Sequence, residues 1–434
     1  MAQTQTMILP PNHPLRQKLN DEVHARPPEE LSAPCSISYL ALFTDEAARE
    51  QSGPKLRELV KLFDGRQPAD GASHYSADLG PFRVKWERHT EFTRYKFIIA
   101  KEENPPFSDP PIKAVPESWL ANLPGTLLVA SNIMVARANS SLPNLDDISA
   151  RYFEGNTLVG SAVSSGAARA FTDFRIHGDG FSRILVQDLT LTPRQAGRLV
   201  QRIVEIDSYR MMALLALPLA HELSPLLTSW EKELAGISSA LVKSGDKEEP
   251  QLLDRLTKLE AEIESHRSAT SYRFSAAAAY YNIVKRRIAE LREERIQGLQ
   301  LFQEFTERRL EPAMSTCAAV TARQEALSTQ VSRATNLLST KVDVTLEQQN
   351  QAVLASMNRR AKLQLRLQET VEGLSVAAIT YYIVGLVGYA AKAIHAGGVE
   401  ISPEIVMGVA IPIVAGAVAY GLSRFRARIS ADAK

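Results

Sequence analysis

The 434 residues allow two or three domains, and 50 Lys+Arg against 49 Asp+Glu leave a net charge of +1. So balanced a chain has no global field to gather nucleic acid, which removes dedicated nucleic-acid binders from consideration. A content of 45% hydrophobic and 23% charged residues excludes a wholly disordered polymer and a transporter embedded mostly in lipid.

At the N-terminus, Met7-Ile8-Leu9 is too short an apolar run for the core of a secretory signal, so the first domain is expected in the cytoplasm. The next segment, Asn12–Pro27 (NHPLRQKLNDEVHARP), concentrates His13, Arg16, Asn20, Glu22, His24 and Arg26. Such a set suits an anion or a metal. It also suits a short surface helix capped by Asn12 and stopped by Pro27.

From Cys35 to about Asp188 the pattern is of short strands in an α+β domain. Cys35–Phe43, Phe82–Ala100, Thr126–Arg137, Thr157–Ser165 and Ala168–Ile176 are rich in β-branched and aromatic residues. His177-Gly178-Asp179-Gly180 should turn the chain back into Phe181–Val186, because Asp-Gly supplies the positive φ of a tight hairpin. An antiparallel sheet is the expectation, with a helix over Glu46–Phe63 and an exposed proline-rich loop at Asn104–Pro116. Within Trp86–Phe92 (WERHTEF), strand alternation places Glu87, His89 and Glu91 on one face and Trp86, Arg88 and Phe92 on the other. The carboxylate–histidine–carboxylate row suits a divalent metal or a tuned histidine, or else cross-strand pairs on a solvated face. Asp173, Arg175 and His177 alternate in the same way on another strand, and with the Trp86–Phe92 residues they mark where a pocket is to be sought, whether as one site or as two.

After Asp188 the texture is helical. Thr192-Pro193-Arg194-Gln195 is a capping box with proline at the first helical position, and Pro218 and Ser224-Pro225 predict breaks before a helix over Leu226–Lys243. Leu252, Leu256, Leu259 and Ile263 have coiled-coil spacing, repeated by Tyr281, Val284, Ile288 and Leu291. Pro312 interrupts the helix. From Ala313 a stalk is expected, with Leu346, Val353, Met357, Leu367, Val371 and Leu374 in its seam and Asn350, Arg360 and Gln364 interrupting it, polar residues that suit the fixing of register in an oligomer or antiparallel packing on the preceding helix equally well.

Leu374–Ala391 and Ile405–Leu422 are two 18-residue stretches without a charged side chain, which predicts a transmembrane hairpin, the alternative being a pair of buried core helices closing a soluble bundle. Arg359, Arg360, Lys362 and Arg366 precede the first, and Arg424, Arg426, Arg428 and Lys434 follow the second, whereas the intervening loop carries Glu400 and Glu404. The positive-inside rule then puts both termini on the cytoplasmic side of the membrane and the loop outside. Ser402-Pro403 should open the second span and Pro412 should kink it. Ser375, Ala378, Tyr382, Gly385 and Tyr389 form a small or polar stripe, suited to packing on the other span or a neighbouring subunit, or to lining a pore. The expected division is therefore 1–190 cytoplasmic domain, 191–373 helical bundle and stalk, 374–423 membrane hairpin and 424–434 basic tail.

No Walker loop, dinucleotide Gly-x-Gly-x-x-Gly, Gly-x-Ser-x-Gly elbow or complete His-Glu-x-x-His occurs, so the motifs assign no catalytic residue and no cofactor or metal. The strings Asn12–Pro27, Trp86–Phe92 and Gln368–Ala393 (QETVEGLSVAAITYYIVGLVGYAAKA) resemble a bacterial family of predicted membrane-anchored proteins of unknown function. That resemblance implies a cytoplasmic domain, a helical stalk and a C-terminal membrane hairpin. The layout is also similar to CorA-type magnesium channels, whose Gly-Met-Asn is replaced here by Gly388-Tyr389-Ala390. The expectation is an anchored oligomeric scaffold or sensor whose partners are the lipid bilayer, further copies of itself and a cytoplasmic protein. An ion channel and a membrane-tethered enzyme are the alternatives.

Overall fold

A computed structural model describes residues 10–24, 27–101, 103–141, 144–243, 248–398 and 400–432. In its first half it contains α1 (Arg16–His24), β1 (Cys35–Phe43), α2 (Glu46–Leu62), β2 (His74–Asp78), β3 (Arg83–Arg88), β4 (Phe92–Ile99), α3 (Glu117–Leu120), β5 (Thr126–Arg137), α4 (Leu145–Phe153), β6 (Val159–Val163), β7 (Ala168–Thr172) and β8 (Ser182–Asp188). Helices α5 (Pro193–Leu214), α6 (Ala216–Lys243) and α7 (Glu249–Leu291) follow, then the two-residue β9 (Glu294–Arg295), α8 (Phe302–Arg309), α9 (Glu311–Ala396) and α10 (Pro403–Asp432). The fold is mixed α+β, and the chain divides into two units, one of residues 1–242 with 254–334 and one of 243–253 with 335–434.

One nine-stranded sheet, in the order β2-β3-β4-β1-β5-β8-β7-β6-β9, organises the first unit. The expectation of an antiparallel sheet needs one correction, since β5 and β8 pair in parallel, with Ser131 opposite Ser182 and Val135 opposite Val186. Between them the chain runs through α4 and the β6–β7 hairpin and re-enters beside β5 in the same direction. Phe82–Ala100 is also not one strand. It folds into the β3–β4 hairpin, closed where the His89 N–H donates to the Phe92 carbonyl at 2.9 Å. Asn104–Pro116 is no exposed loop either, because Phe107 and Val115 are buried in it and the Ile112 N–H donates to Ser38 Oγ at 3.1 Å.

Strand alternation gives the two sheet faces different chemistry. On one, Leu40, Leu42, Val84, Trp86, Tyr95 and Phe97 form an apolar core with Leu56, Leu59 and Val60 of α2 and with Trp119. On the other, Tyr39, Lys85, Glu87, Arg94, Lys96 and Ser131 are all buried beneath α5. Tyr39 Oη lies 2.6 Å from Ser208 Oγ, and Ser131 Oγ donates to Asp207 at 2.9 Å.

Helix α5 begins with the expected capping box, Thr192 with Gln195, and with Pro193 at its first position. Of the two proline breaks expected next only the first occurs, since α5 ends at Leu214 and α6 starts at Ala216, just ahead of Pro218. Pro218 falls in the first turn of α6, where no N–H partner is needed, and Pro225 is carried inside the same helix. Leu252, Leu256, Leu259 and Ile263 are buried, as are Val331 and Leu338 on α9. Beyond Leu338 the expected seam residues Leu346, Val353, Met357, Leu367 and Val371 are exposed within this single chain. Leu310 separates α8 from α9, and α9 then runs without interruption to Ala396.

Candidate ligand site

The N-terminal cluster is held by local pairs. Arg16 donates to Asn12 Oδ1, the Leu15 N–H to His13 Nδ1 at 3.2 Å and Gln17 to Asp21 at 2.8 Å, all at the surface. Asn20 lies one turn beyond Arg16 in α1. The side chains of Glu22 and His24, and all of Arg26, lie outside the described residues.

The Trp86–Phe92 residues do not form the expected row, because β3 ends at Arg88 and the turn breaks the alternation. Glu87, 1% exposed, accepts from Arg94 and lies 3.3 Å from Lys85 Nζ. Arg94 continues to Glu205 at 3.4 Å, Glu205 accepts from Arg287 at 2.6 Å, and Glu290 receives Arg287 at 3.0 Å and Arg202 at 3.1 Å. This chain of pairs ties β3 and β4 to α5 and α7. Burial works against the Glu87 charge, but Arg94, Lys96 and Lys85 outweigh it and hold its pKa at about 2. The Lys96 ammonium is depressed to about 7 by burial first and by Arg94 next. Neither a metal nor a substrate is needed to account for Glu87.

Glu91 points elsewhere, accepting from Arg273 and, at 2.8 Å, from the Tyr280 hydroxyl. Burial and that carboxylate raise the Tyr280 pKa, keeping the phenol protonated. His177, also buried, lies 2.9 Å from Asp173 and 3.3 Å from Glu154, which Arg183 meets at 2.9 Å, while Arg175 is exposed. Strands β3 and β7 stand five places apart in the sheet, so at ~4.8 Å per strand the two polar sets are separated by about 24 Å. They do not share a pocket. Among the described residues, no group of three His, Cys, Asp or Glu side chains is placed to hold a metal.

What the hairpin does build is a pocket of about 470 Å³ lined by Arg49, Arg88, His89, Thr90, Phe92, Tyr209, Tyr280 and Ile283. Helix α2 supplies Arg49, the β3–β4 hairpin supplies residues 88–90 and Phe92, α5 supplies Tyr209 and α7 supplies Tyr280 and Ile283. The rings form a continuous wall. His89 stacks on Phe92 at 4.3 Å, Phe92 meets Tyr209 edge-on at 5.9 Å, and Tyr209 stacks on Tyr280 at 5.6 Å. Arg49 donates to the Thr90 carbonyl at 2.9 Å and lies 3.8 Å from Glu46, a mostly solvated carboxylate. Arg88 donates to the Gly71 carbonyl at 3.3 Å and lies 5.9 Å from the Trp86 ring centroid. Arg88 and His89 stand out in the sequence, but Arg49, Tyr209 and Tyr280 do not, because they come from three other elements with no local motif. A larger cleft of about 890 Å³ lies among α7, α8 and α9, lined by small residues such as Ala278, Ala318 and Ala322 with Tyr281 and Met314.

In the last two helices the expected stripe is not the contact between them. A Cβ at Gly388 would meet Met407 Sδ at 2.5 Å, and Thr380 and Ala391 are buried on the same side. Tyr382, Tyr389 and Ala378 are exposed, with Ser375 and Gly385 half-buried between the two faces.

The family described as a protein of unknown function, DUF3422, matches residues 11–429. The chain belongs to the DUF3422 family. No curated protein and no solved structure matches it, so the similarity in layout to CorA-type channels gains no structural counterpart. Membership covers the sheet, the hairpin pocket and both C-terminal helices, and it assigns none of them a chemistry.

Proposed function

We propose that this DUF3422 chain is a membrane-anchored protein of the bacterial inner membrane whose cytoplasmic sheet unit binds a small ligand and reports on it, without catalysing a reaction. The carrying observation is the surface of the last two helices. Three helical stretches are long and apolar enough to cross a bilayer, within 193–243, 302–396 and 403–424, with mean hydropathies of 1.4, 1.7 and 2.2 in their most apolar windows. The first window is 33% buried within the fold, whereas the third is 0% buried. Leu386, Ile405 and Ile413 are each at least 65% exposed, alongside Leu374, Ile379, Ile394, Val409 and Ile411. At about 2 kcal/mol for fully removing a large apolar side chain from water, covering these eight, which stand 40–73% exposed, is worth about 9 kcal/mol, more than an isolated surface patch leaves unclaimed. Lipid is the solvent that fits, and the flanking Arg359, Arg360, Lys362, Arg366 and Arg424 favour the cytoplasmic side. The same reading includes self-association along α9, where Leu346, Val353 and Met357 stand exposed.

Fractionation and labelling test the anchor. The full chain is expected in the membrane pellet after alkaline carbonate washing. In a background with both native cysteines replaced, Ser402→Cys is expected to react with an impermeant maleimide in intact spheroplasts and Ser423→Cys only after lysis. Recovery of the unaggregated chain in the detergent-free supernatant would overturn the anchor, and the reverse labelling pattern would overturn the orientation.

A further inference from the structure

The hairpin pocket has a composition that selects one class of ligand. Its charged lining is cationic, with the guanidiniums of Arg49 and Arg88 at its edge beside His89. Glu91, a carboxylate of the same turn, is directed away and held by Arg273 and Tyr280. Among the described residues Arg88 meets no carboxylate within 4.0 Å, and Arg49 meets only the exposed Glu46, at 3.8 Å. Both guanidiniums are anchored by one N–H on a backbone carbonyl, which fixes their position and leaves other N–H groups of each fork for an acceptor. Arginine pairs in this state match the oxygens of a phosphate, which can accept two parallel N–H bonds from each fork. The rest of the lining is largely aromatic, built from Phe92, Tyr209 and Tyr280, and a planar ring is what stacks on such a surface. A volume of about 470 Å³ holds a ring joined to a phosphate and little more.

We propose that this pocket binds a small organic phosphate carrying a planar ring, of the size of a mononucleotide, with Arg49 and Arg88 on the phosphate and Tyr209 and Tyr280 against the ring. The proposal rests on the ligand-binding half of the function above and is independent of the anchor. It also gives the Trp86–Phe92 string a purpose that Glu87 alone does not, since the turn that spoils strand alternation aims Arg88 and His89 into the same space as Arg49.

Calorimetric titration of the detergent-solubilised full chain with three probes tests it: phenyl phosphate, adenosine monophosphate and inorganic phosphate. The two ring-bearing probes are expected to bind at least about tenfold more tightly than inorganic phosphate, the difference being ring stacking. Arg49→Gln and Arg88→Gln are each expected to weaken phenyl phosphate by about tenfold or more, with thermal melts showing that the variants remain folded. Raising the salt concentration on the unmodified protein gives a readout that needs no variant, and affinity is expected to fall with it. The proposal is overturned if neither ring-bearing probe binds at millimolar concentration, if folded Arg49→Gln/Arg88→Gln protein binds phenyl phosphate as well as the parent, or if affinity ignores salt. Inorganic phosphate binding as tightly as phenyl phosphate overturns the aromatic half. A chain that binds these probes yet fractionates as soluble refutes the anchor alone, and an anchored chain that binds none refutes the ligand alone.

Discussion

Gly197 in α5 provides a sharp test of how the sheet unit is packed. A Cβ there would stand 1.6 Å from the backbone carbonyl oxygen of Glu29 and 2.8 Å from its carbon. Reaching even the 3.0 Å limit of real contacts requires that carbonyl to recede by about 1.4 Å, and the contact is backbone, which cannot rotate aside. Nor is the segment around Glu29 loose. The Leu31 N–H donates to the Pro193 carbonyl at 3.0 Å, Arg83 and Lys85 reach Glu29 at 3.3 and 3.8 Å, Lys85 also donates to the Pro27 carbonyl, and Arg194 pairs with Glu30 at 2.8 Å. Replacing an exposed helical glycine by alanine stabilises by up to about 1 kcal/mol through backbone entropy, and Gly236 in α6, where an added methyl would meet nothing within 4 Å, should realise that gain. Gly197→Ala should instead cost about 1–3 kcal/mol from overpacking, leaving the two variants about 2–4 kcal/mol apart in opposite directions from the parent. Urea denaturation of the full chain in mild detergent, followed by circular dichroism, measures both midpoints. A Gly197→Ala protein as stable as Gly236→Ala would refute the close approach of the 27–31 segment to α5.

Glu87→Gln should destabilise the sheet unit by about 3 kcal/mol, because Lys85 and Arg94 are then buried beside a neutral amide, and the same denaturation experiment reads it. In the parent, the folded-state pKa of about 2 lies below the ordinary value of 4.5, so the unfolded chain takes up the proton first as pH falls. Stability from this carboxylate is therefore complete above about pH 5 and fades between 4.5 and 2, and a denaturation midpoint that Glu87→Gln makes no less steep across that window would count against the assignment. Cys35, 3% exposed, has its pKa pushed up to about 12 by burial and then by Asp188, and burial raises that of Cys317 too. Neither thiol should react with a thiol reagent at neutral pH until urea is added, and rapid native labelling of Cys35 would show that β1 is not buried as described.

How much the sequence discloses depends on the range of the interaction concerned. Cys35–Phe43 and Thr126–Arg137 are legible to the residue as β1 and β5, since apolar and β-branched composition is a local signal. The Thr192 capping box is equally plain, being four adjacent residues with one geometric meaning. The β3–β4 turn is not, because His89-Thr90-Glu91 contains no glycine, proline or asparagine to announce it. Pro225 misleads for the opposite reason, as its breaking tendency is overridden by the packing of Leu223, Leu227 and Trp230 on one face of α6. The site is half visible. Arg88 and His89 stand out by type, but nothing in the composition of α2, α5 or α7 says that Arg49, Tyr209 and Tyr280 meet them, since that depends on how each helix is seated on the sheet. Glu87 draws attention for the right reason but with the wrong surroundings, since strand alternation cannot distinguish a solvated face from one roofed by α5.

The unlike chemistry of the two sheet faces sets how each layer tolerates drift. Beneath α2, Leu56, Leu59 and Val60 meet Trp86 and Phe97 through contacts that any nearby apolar shape can approximate, so small slips of that helix are cheap. Beneath α5 the opposite holds: sliding by a single turn would strand the buried Glu205 from Arg94 and Arg287, and the buried Ser208 from Tyr39. The greasy layer thus supplies cohesion while the charged one acts as a vernier, admitting a single alignment of α5 on the strands, and with it a single placement of Tyr209 at the mouth of the hairpin.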